Sequence, residues 1–275
     1  MTVKKAQLHV SGLKDLQKCG QKFAFRNIDG IKTPTGLAAL RGNVCHRTSE
    51  LDLQHKIDHG TLLPDEAIPD LVSQSAHEFV EKRGMFLGPN DPQTIKEAMK
   101  FLIDEAMGFA LIHHEKLAPI INPIAVEEKW IVEIAGFPFD IAGTFDVTQL
   151  KGFRDAKNRA KSPNANEAFV STQVSAYALG YYVTHGEVAE NIAIDVIVKT
   201  KTMAKVVTQE TSRDMSDIKT ILGSFEAAAK VIESGAYMHA DPEVAWWCSA
   251  QWCGYHSICP WVRRPVSVAT GGINV

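Results

Sequence analysis

Apolar residues recur at helical spacing through roughly the first 120 positions and at strand spacing after that. From Ser11, a hydroxyl suited to capping a helix N-terminus, Leu13, Leu16 and Phe23 predict a helix over 11–27 that includes Cys19. Leu37, Leu40, Val44, Leu51 and Leu53 predict a second helix over 37–58, after the Pro34-Thr35-Gly36 turn. Residues 66–117 give two more helices around the loop GMFLGPNDP, read as an insertion or a lid over a site. From Pro123 the period shortens: AVEEKWIVEIAG and FPFDIAGTFDVTQL are rich in β-formers and stop at glycines or turn residues. A helix over 166–184 follows, then the strands NIAIDVIVKT and AKVVTQE, then an alanine-rich helix over 212–234. Strands flanked by helices on both sides in the chain predict an α/β fold in a single domain over 1–275. Its parts are a mostly helical 1–120, a strand-rich core over 121–210, and a final helix with a cysteine-rich end over 211–275.

The stretch GTFDVTQLKGFRDAK, Gly143 to Lys157, reads as a hairpin turning at Lys151-Gly152. Side chains two apart on a strand share a face, so Asp155 and Lys157 point the same way, and the hairpin partner can bring Asp146 beside them. Two carboxylates and an ammonium gathered there are costly if dry and unpaired. A divalent cation between the carboxylates removes that cost and leaves the lysine free to reach a phosphate or a water. The other reading is an exposed hairpin with a weak surface ion pair.

Composition narrows the field. The net charge of −3 gives no global basic footprint, so contact with nucleic acid depends on local patches such as Lys151, Arg154, Lys157, Arg159 and Lys161. No stretch approaches the roughly 20 apolar residues that span a bilayer, and MTVKKAQLHVSGLKD lacks the apolar core of a signal peptide. A cytoplasmic protein, prokaryotic or viral in a host cytoplasm, is expected. In that compartment cysteines serve as metal ligands or catalytic groups more often than as disulfides. Three of the five cysteines, Cys248, Cys253 and Cys259, crowd into AWWCSAQWCGYHSICPWVRR. Thiolates that close need a metal or a cluster.

Gly-x-x-Asp followed by Asp-x-Lys resembles the core of the PD-(D/E)XK nucleases, and the likeness extends to their RecB-like branch, with its CRISPR-associated and AddB-type iron–sulfur exonucleases. Gly42-Asn-Val-Cys-His46 matches the branch's Gly-x-x-x-His, and Gln173-Val-Ser-Ala-Tyr177 matches its Gln-x-x-x-Tyr. Cys19 with Cys248, Cys253 and Cys259 matches its one-plus-three cysteine bracket. The resemblance implies a restriction-endonuclease-like core with a central mixed sheet flanked by helices, and a C-terminal segment that binds an iron–sulfur cluster.

It also implies that His46, Asp146, Asp155 and the Ala156 carbonyl bind Mg²⁺ or Mn²⁺, with Lys157, Gln173 and Tyr177 completing the catalytic set. Glu127 or Glu128 stands near the metal, Glu127 being the candidate carried forward. Arg154, Arg159 and Lys161 are the candidate nucleic-acid contacts.

The four cysteines imply a [4Fe–4S] cluster, with Zn²⁺ as the alternative and His256 as a competing zinc ligand. Relatives keep two residues between the first two C-terminal cysteines, whereas this chain has four. The aromatics nearby, Trp246, Trp247, Trp252 and Tyr255, either shield that group or stack on the bases of a single strand. The implied function is a metal-dependent DNA exonuclease acting on single-stranded or end-containing DNA. Recombination, repair, replication and CRISPR adaptation are the settings, with a helicase, recombination or CRISPR adaptation partner. The alternatives are an endonuclease or flap nuclease, or a nucleic-acid-binding iron–sulfur subunit with an inactive centre.

Overall fold

The computed structural model describes residues 5–88, 90–200 and 202–262. Residues 1–4 of the N-terminal stretch, Pro89 of the 84–92 loop, and Arg263 and Arg264 lie outside the described residues. In chain order the elements are β1 (Ala6–His9), α1 (Val10–Lys18), α2 (Gly20–Phe23), β2 (Thr35–Gly36), α3 (Leu37–His59), α4 (Ala67–Arg83), β3 (Met85–Phe86) and α5 (Ile95–Ile112). Then come β4 (Pro123–Val132), β5 (Phe139–Gln149), β6 (Gly152–Arg159), α6 (Thr172–His185), β7 (Asn191–Lys199), β8 (Ala204–Thr211) and α7 (Met215–Ser234). No helix among the described residues is long and apolar enough to cross a membrane.

The main sheet runs β1-β5-β6-β7-β8, with β4 on the free side of β5. It is mixed: β1 lies parallel to β5 and β6 parallel to β7, while the β4–β5, β5–β6 and β7–β8 pairs are antiparallel. Helices cover both faces, giving the expected α/β architecture with a central mixed sheet. On one face, α6 and α7 pack over Phe145, Phe153, Ile194 and Val196. On the other, α3, α4 and α5 pack together over Val147 and Ile197.

One irregularity of the sheet decides where chemistry can happen. β4 pairs with β5 through residues 141–149, so both β1 and β6 must use the opposite edge of β5. β1 covers that edge at Phe139–Ala142 and β6 covers it only at Val147–Gln149. Between them, Gly143 to Asp146 face an open fork. β6 leaves β5 there and continues alone against β7 through Arg159.

Several elements differ from the sequence expectation. β1 sits in the part read as helical; four residues are too few to display a strand period against an adjoining helix. The helix expected over 11–27 breaks at Cys19, whose extended backbone ends α1 and whose sulfur then caps α2 by accepting from Lys22 N at 3.4 Å. α6 begins at Thr172 rather than 166, because Ser171 caps it and Arg213 donates to the carbonyls of Ala168 and Phe169. α7 begins at Met215 rather than 212: Asp214 and Asp217 form a reciprocal capping box that Ser212 cannot offer. The two helices over 66–117 form as expected, but with α3 they make a packed layer on the sheet instead of a lid.

Candidate active site

The fork carries the motif residues. Gly143 stands opposite Trp130 in the β4–β5 register, and a side chain on it would lie 2.2 Å from the indole. Gly180 of α6 gives way to the same indole, so the motif glycine has a packing reason: it seats Trp130 under the fork. Three residues on, Asp146 reaches across the gap and its Oδ2 accepts from the Ala156 amide at 2.9 Å. A side chain thus replaces the ladder bond that the parting strands give up.

His46 of α3 places Nδ1 3.4 Å from Asp146 Oδ2. Glu127 lies directly opposite Asp146, between the paired rows Val126–Val147 and Glu128–Phe145, so the two carboxylates share a face. One ligand atom each from His46, Glu127 and Asp146 fall within 4.8 Å of one another. Glu127 holds a left-handed backbone, φ 48°, which costs energy for a residue with a side chain. Burial, then the Asp146 charge, push its carboxyl up to about 7. Two carboxylates and an imidazole held together this closely, one at a backbone penalty, form a donor set of the kind a hard divalent cation uses. Glu128 turns away, accepting from Thr148 Oγ1 and standing 3.6 Å from His185. Of the two adjacent glutamates, Glu127 is therefore the one grouped with His46 and Asp146.

Asp155 and Lys157 share a face as the strand period required. Lys157 Nζ lies 3.0 Å from Asp155 Oδ1 and 2.9 Å from Oδ2, and donates to Gln173 Oε1 at 3.1 Å. Gln173 Nε2 lies 2.9 Å from Asp155 Oδ1 and 3.0 Å from Tyr177 Oη. The two α6 residues, one turn apart, therefore clamp the lysine and its carboxylate from above. Asp155 is buried, and its Oδ2 accepts no well-aligned hydrogen bond. Burial raises the Asp155 carboxyl, with Lys157 pulling against it. Burial also works against the Lys157 ammonium, but Asp155 and Asp146 more than offset it and hold its pKa above the ordinary value. Burial raises the Tyr177 hydroxyl as well, so the phenol stays protonated.

Asp155 is not in the closest ligand group, and the hairpin reading alone would not have separated the two aspartates. They diverge at the fork, Asp146 toward α3 and Asp155 toward α6. Arg154, read as a nucleic-acid contact, donates through Nε and Nη2 to the buried Asp195, both at 2.7 Å, and Thr208 joins them at 2.6 Å. Arg159 is paired with Glu167, and Lys161 is exposed.

The histidines read as bland, His113 and His114, are buried behind the centre. His113 lines the same cavity as His46, and His114 is held by Asp52 of α3 at 2.8 Å and by Asp65 at 3.1 Å. Sequence reasoning missed this brace on α3. The signal available was Asp52, a carboxylate on an otherwise apolar helix face.

Cys19, Cys248, Cys253 and Cys259 line a second cavity of about 190 Å³, with Lys22, His239 and His256. All are free thiols, as is Cys45, which is buried with its thiol pushed up to about 12 by desolvation and lies outside this group. Cys19 Sγ also accepts from the Ala240 amide at 3.4 Å, and Gly20 leaves room for the Met238 backbone, 2.8 Å from where a Cβ would stand. Of the aromatics expected to shield this segment, Tyr255 is buried, whereas Trp246 and Trp252 are 68% and 60% exposed.

Among solved structures, the chain is similar to one from Eubacterium rectale described as a "putative exonuclease". The identity is 12%, the coverage 95% of this chain and 91% of that one, and the TM-score 0.60, so the likeness is one of fold. A second structure, SSO0001, aligns at 12% identity over 95% of this chain and 89% of that one with a TM-score of 0.41. No curated protein matches. The sequence model of the PD-(D/E)XK nuclease superfamily matches residues 7–260, which takes in β1, the fork, α6 and all four clustered cysteines; the chain belongs to that superfamily and is a nuclease of the hydrolase class.

Proposed function

We propose that the protein is a divalent-metal-dependent deoxyribonuclease that acts as an exonuclease on single-stranded or end-containing DNA. The observation that carries the reading is the fork itself, where His46, Glu127 and Asp146 lie within 4.8 Å of one another beside Asp155, Lys157 and Gln173. His46, Glu127 and Asp146 would hold Mg²⁺ or Mn²⁺, with Asp155 Oδ2, which Lys157 faces at 2.9 Å, and the Ala156 carbonyl as further donors. The ion, when bound, lowers the pKa of a water and neutralises charge on the scissile phosphate. Lys157, kept cationic by two carboxylates, orients that water or a phosphate oxygen and is a poor proton acceptor. Gln173 fixes the ammonium through its Oε1, and Tyr177, a protonated phenol, fixes the Gln173 amide. Lys161 and the Arg159 edge offer charge to strand phosphates.

The cysteine cavity supports a [4Fe–4S] cluster over Zn²⁺. Four thiolates on one zinc at about 2.3 Å would stand about 3.8 Å apart. Among the described residues no three of these sulfurs lie mutually within 4.8 Å, and the cavity far exceeds the roughly 10–15 Å³ that one water occupies. A cluster in which each thiolate takes a separate iron fits that spread. It would staple residue 19 to residues 248–259.

The test is degradation of end-labelled single-stranded DNA with Mg²⁺ or Mn²⁺, comparing wild type with Lys157→Ala, on free and on blocked ends. The expected result is metal-dependent loss of label that needs a free end and vanishes in the variant. Equal activity in both proteins would displace the centre from the fork. Undiminished cutting of blocked substrate would replace the exonuclease with an endonuclease.

A further inference from the structure

The open edge of β5 has a second consequence. β1 runs parallel to β5 and stops level with Ala142, four residues short of Asp146, and there the chain turns away from the sheet as α1. α1 therefore starts at the mouth of the fork. Lys14 is half-buried, and the charges it feels are Lys157 and Lys18 against it and Asp155 and Glu167 for it. Both carboxylates are already engaged, Asp155 by Lys157 and Glu167 by Arg159. Among the described residues neither Lys14 nor Lys18 has a carboxylate within ion-pairing distance, whereas Asp15 between them is taken by Lys22 and Arg26.

Lys14 and Lys18 are one helical turn apart, about 6 Å along the axis and on the same side. Lys14 thus meets like charge from both Lys157 and Lys18, and neither α1 lysine has an ion-paired partner among the described residues. An anion with repeated charges lying along them would relieve that repulsion.

We propose that Lys14 and Lys18 form a binding track for the backbone phosphates that flank the scissile bond, leading the strand from Lys157 along α1. This rests on the nuclease reading above and names where its substrate lies. The chemistry recognised is a run of phosphodiesters, sequence-independent, on a strand whose path is set by the helix axis. α1 ends at Cys19, so the track leads from the fork to the cysteine-lined segment.

The test uses the full protein with a fluorescent single-stranded oligothymidylate, measured by anisotropy without divalent metal over a range of KCl, with steady-state cleavage alongside. Lys14→Ala with Lys18→Ala is expected to lower the slope of log affinity against log salt by about 1.4, some 0.7 per lost contact. The Michaelis constant should rise about tenfold, well beyond any change in kcat, and Lys14→Arg should recover most of the loss. Lys18 is exposed, so its single substitution should not disturb folding; it is expected to lower the slope by about half as much.

An unchanged slope in the folded Lys18→Ala and double variants would overturn the track. So would a loss confined to kcat, which would make Lys14 a support for Lys157 alone. Inorganic phosphate that displaces the oligonucleotide at equal phosphate concentration would reduce the site to a single-anion pocket. A wild type that neither binds the strand nor cuts it would remove the nuclease reading and the track with it. A wild type that cuts normally beside variants with unaltered salt slopes would remove the track alone.

Discussion

The fork and the cysteine-lined segment are organised by opposite means. At the fork most polar side chains are held by another group of the fold: Asp146 by the Ala156 amide, Lys157 by Gln173, Gln173 by Tyr177, Arg154 by Asp195. The segment from 236 to 262 has no helix or strand, a cavity at its centre, and tryptophans turned to solvent. One region is preorganised by its own hydrogen bonds, so a ligand there adds chemistry. The other is a set of turns around four thiols, so a ligand bound there would add to the fold. The difference teaches that catalytic-site and cysteine substitutions should fail in different assays.

The largest effect is expected at the cysteines. With the proposed cluster bound, Cys253→Ser should abolish its absorbance in protein purified without oxygen and cut the soluble yield severely, because ligand binding there would be folding free energy. Asp146→Asn should keep both the spectrum and the melting temperature. A Cys253→Ser protein with a wild-type melting curve would collapse the comparison.

Next in size is the chemistry at the fork. Asp146→Asn and Lys157→Ala should each lower kcat by about 10²–10³-fold with circular dichroism unchanged. A comparable loss of stability would mean that the fork, too, is held by its charges.

The third prediction turns on Glu127. Its folded pKa, about 7, is raised above the ordinary 4.5, so the cost of charging it is absent below about pH 4.5 and complete above about pH 7. Metal-free Glu127→Gln should therefore be more stable than wild type at pH 8, by about 1 kcal/mol in urea unfolding once solvent screening of this partly exposed carboxyl is counted, and no more stable at pH 4.5. No gain at pH 8 would place the strain elsewhere.

The smallest effect is expected at Gln173→Met, which leaves Lys157 and Asp155 in contact but removes their clamp. A fall in kcat of about tenfold with little change in the Michaelis constant is expected, as for a group that only orients another. An unaltered kcat would make the clamp dispensable.

Much of this was legible beforehand, for reasons that can be named. Asp155 and Lys157 share a face because a strand repeats every two residues, and Gln173 and Tyr177 share one because a helix repeats near four. The passage from helices to strands followed from the change of period at Pro123, and the mixed sheet with flanking helices from the family resemblance. What stayed hidden depended on partners distant in the chain. β1 is a strand only because β5 lies beside it, and the choice of Glu127 over Glu128 depends on the β4–β5 register. The break at Cys19 depends on the 238–240 backbone arriving against Gly20. Arg154 looked free in a basic run until Asp195, one strand over, was placed against it.

The pairing of β1 with β5 also dictates an order of assembly. Its register sets Ala6 opposite Phe139 and His9 opposite Ala142, and Cys19 meets its companion thiols only from residue 248 on. β1 therefore waits for β5, far along the chain, and Cys19 for residues farther still. Closing so long a loop is slow relative to local helix formation. The β1 edge of the fork should therefore close later than the β6–β7 pair, whose strands lie nearer in the chain, and pulse-labelled hydrogen exchange should find the β1 amides protected after those of β6 and β7.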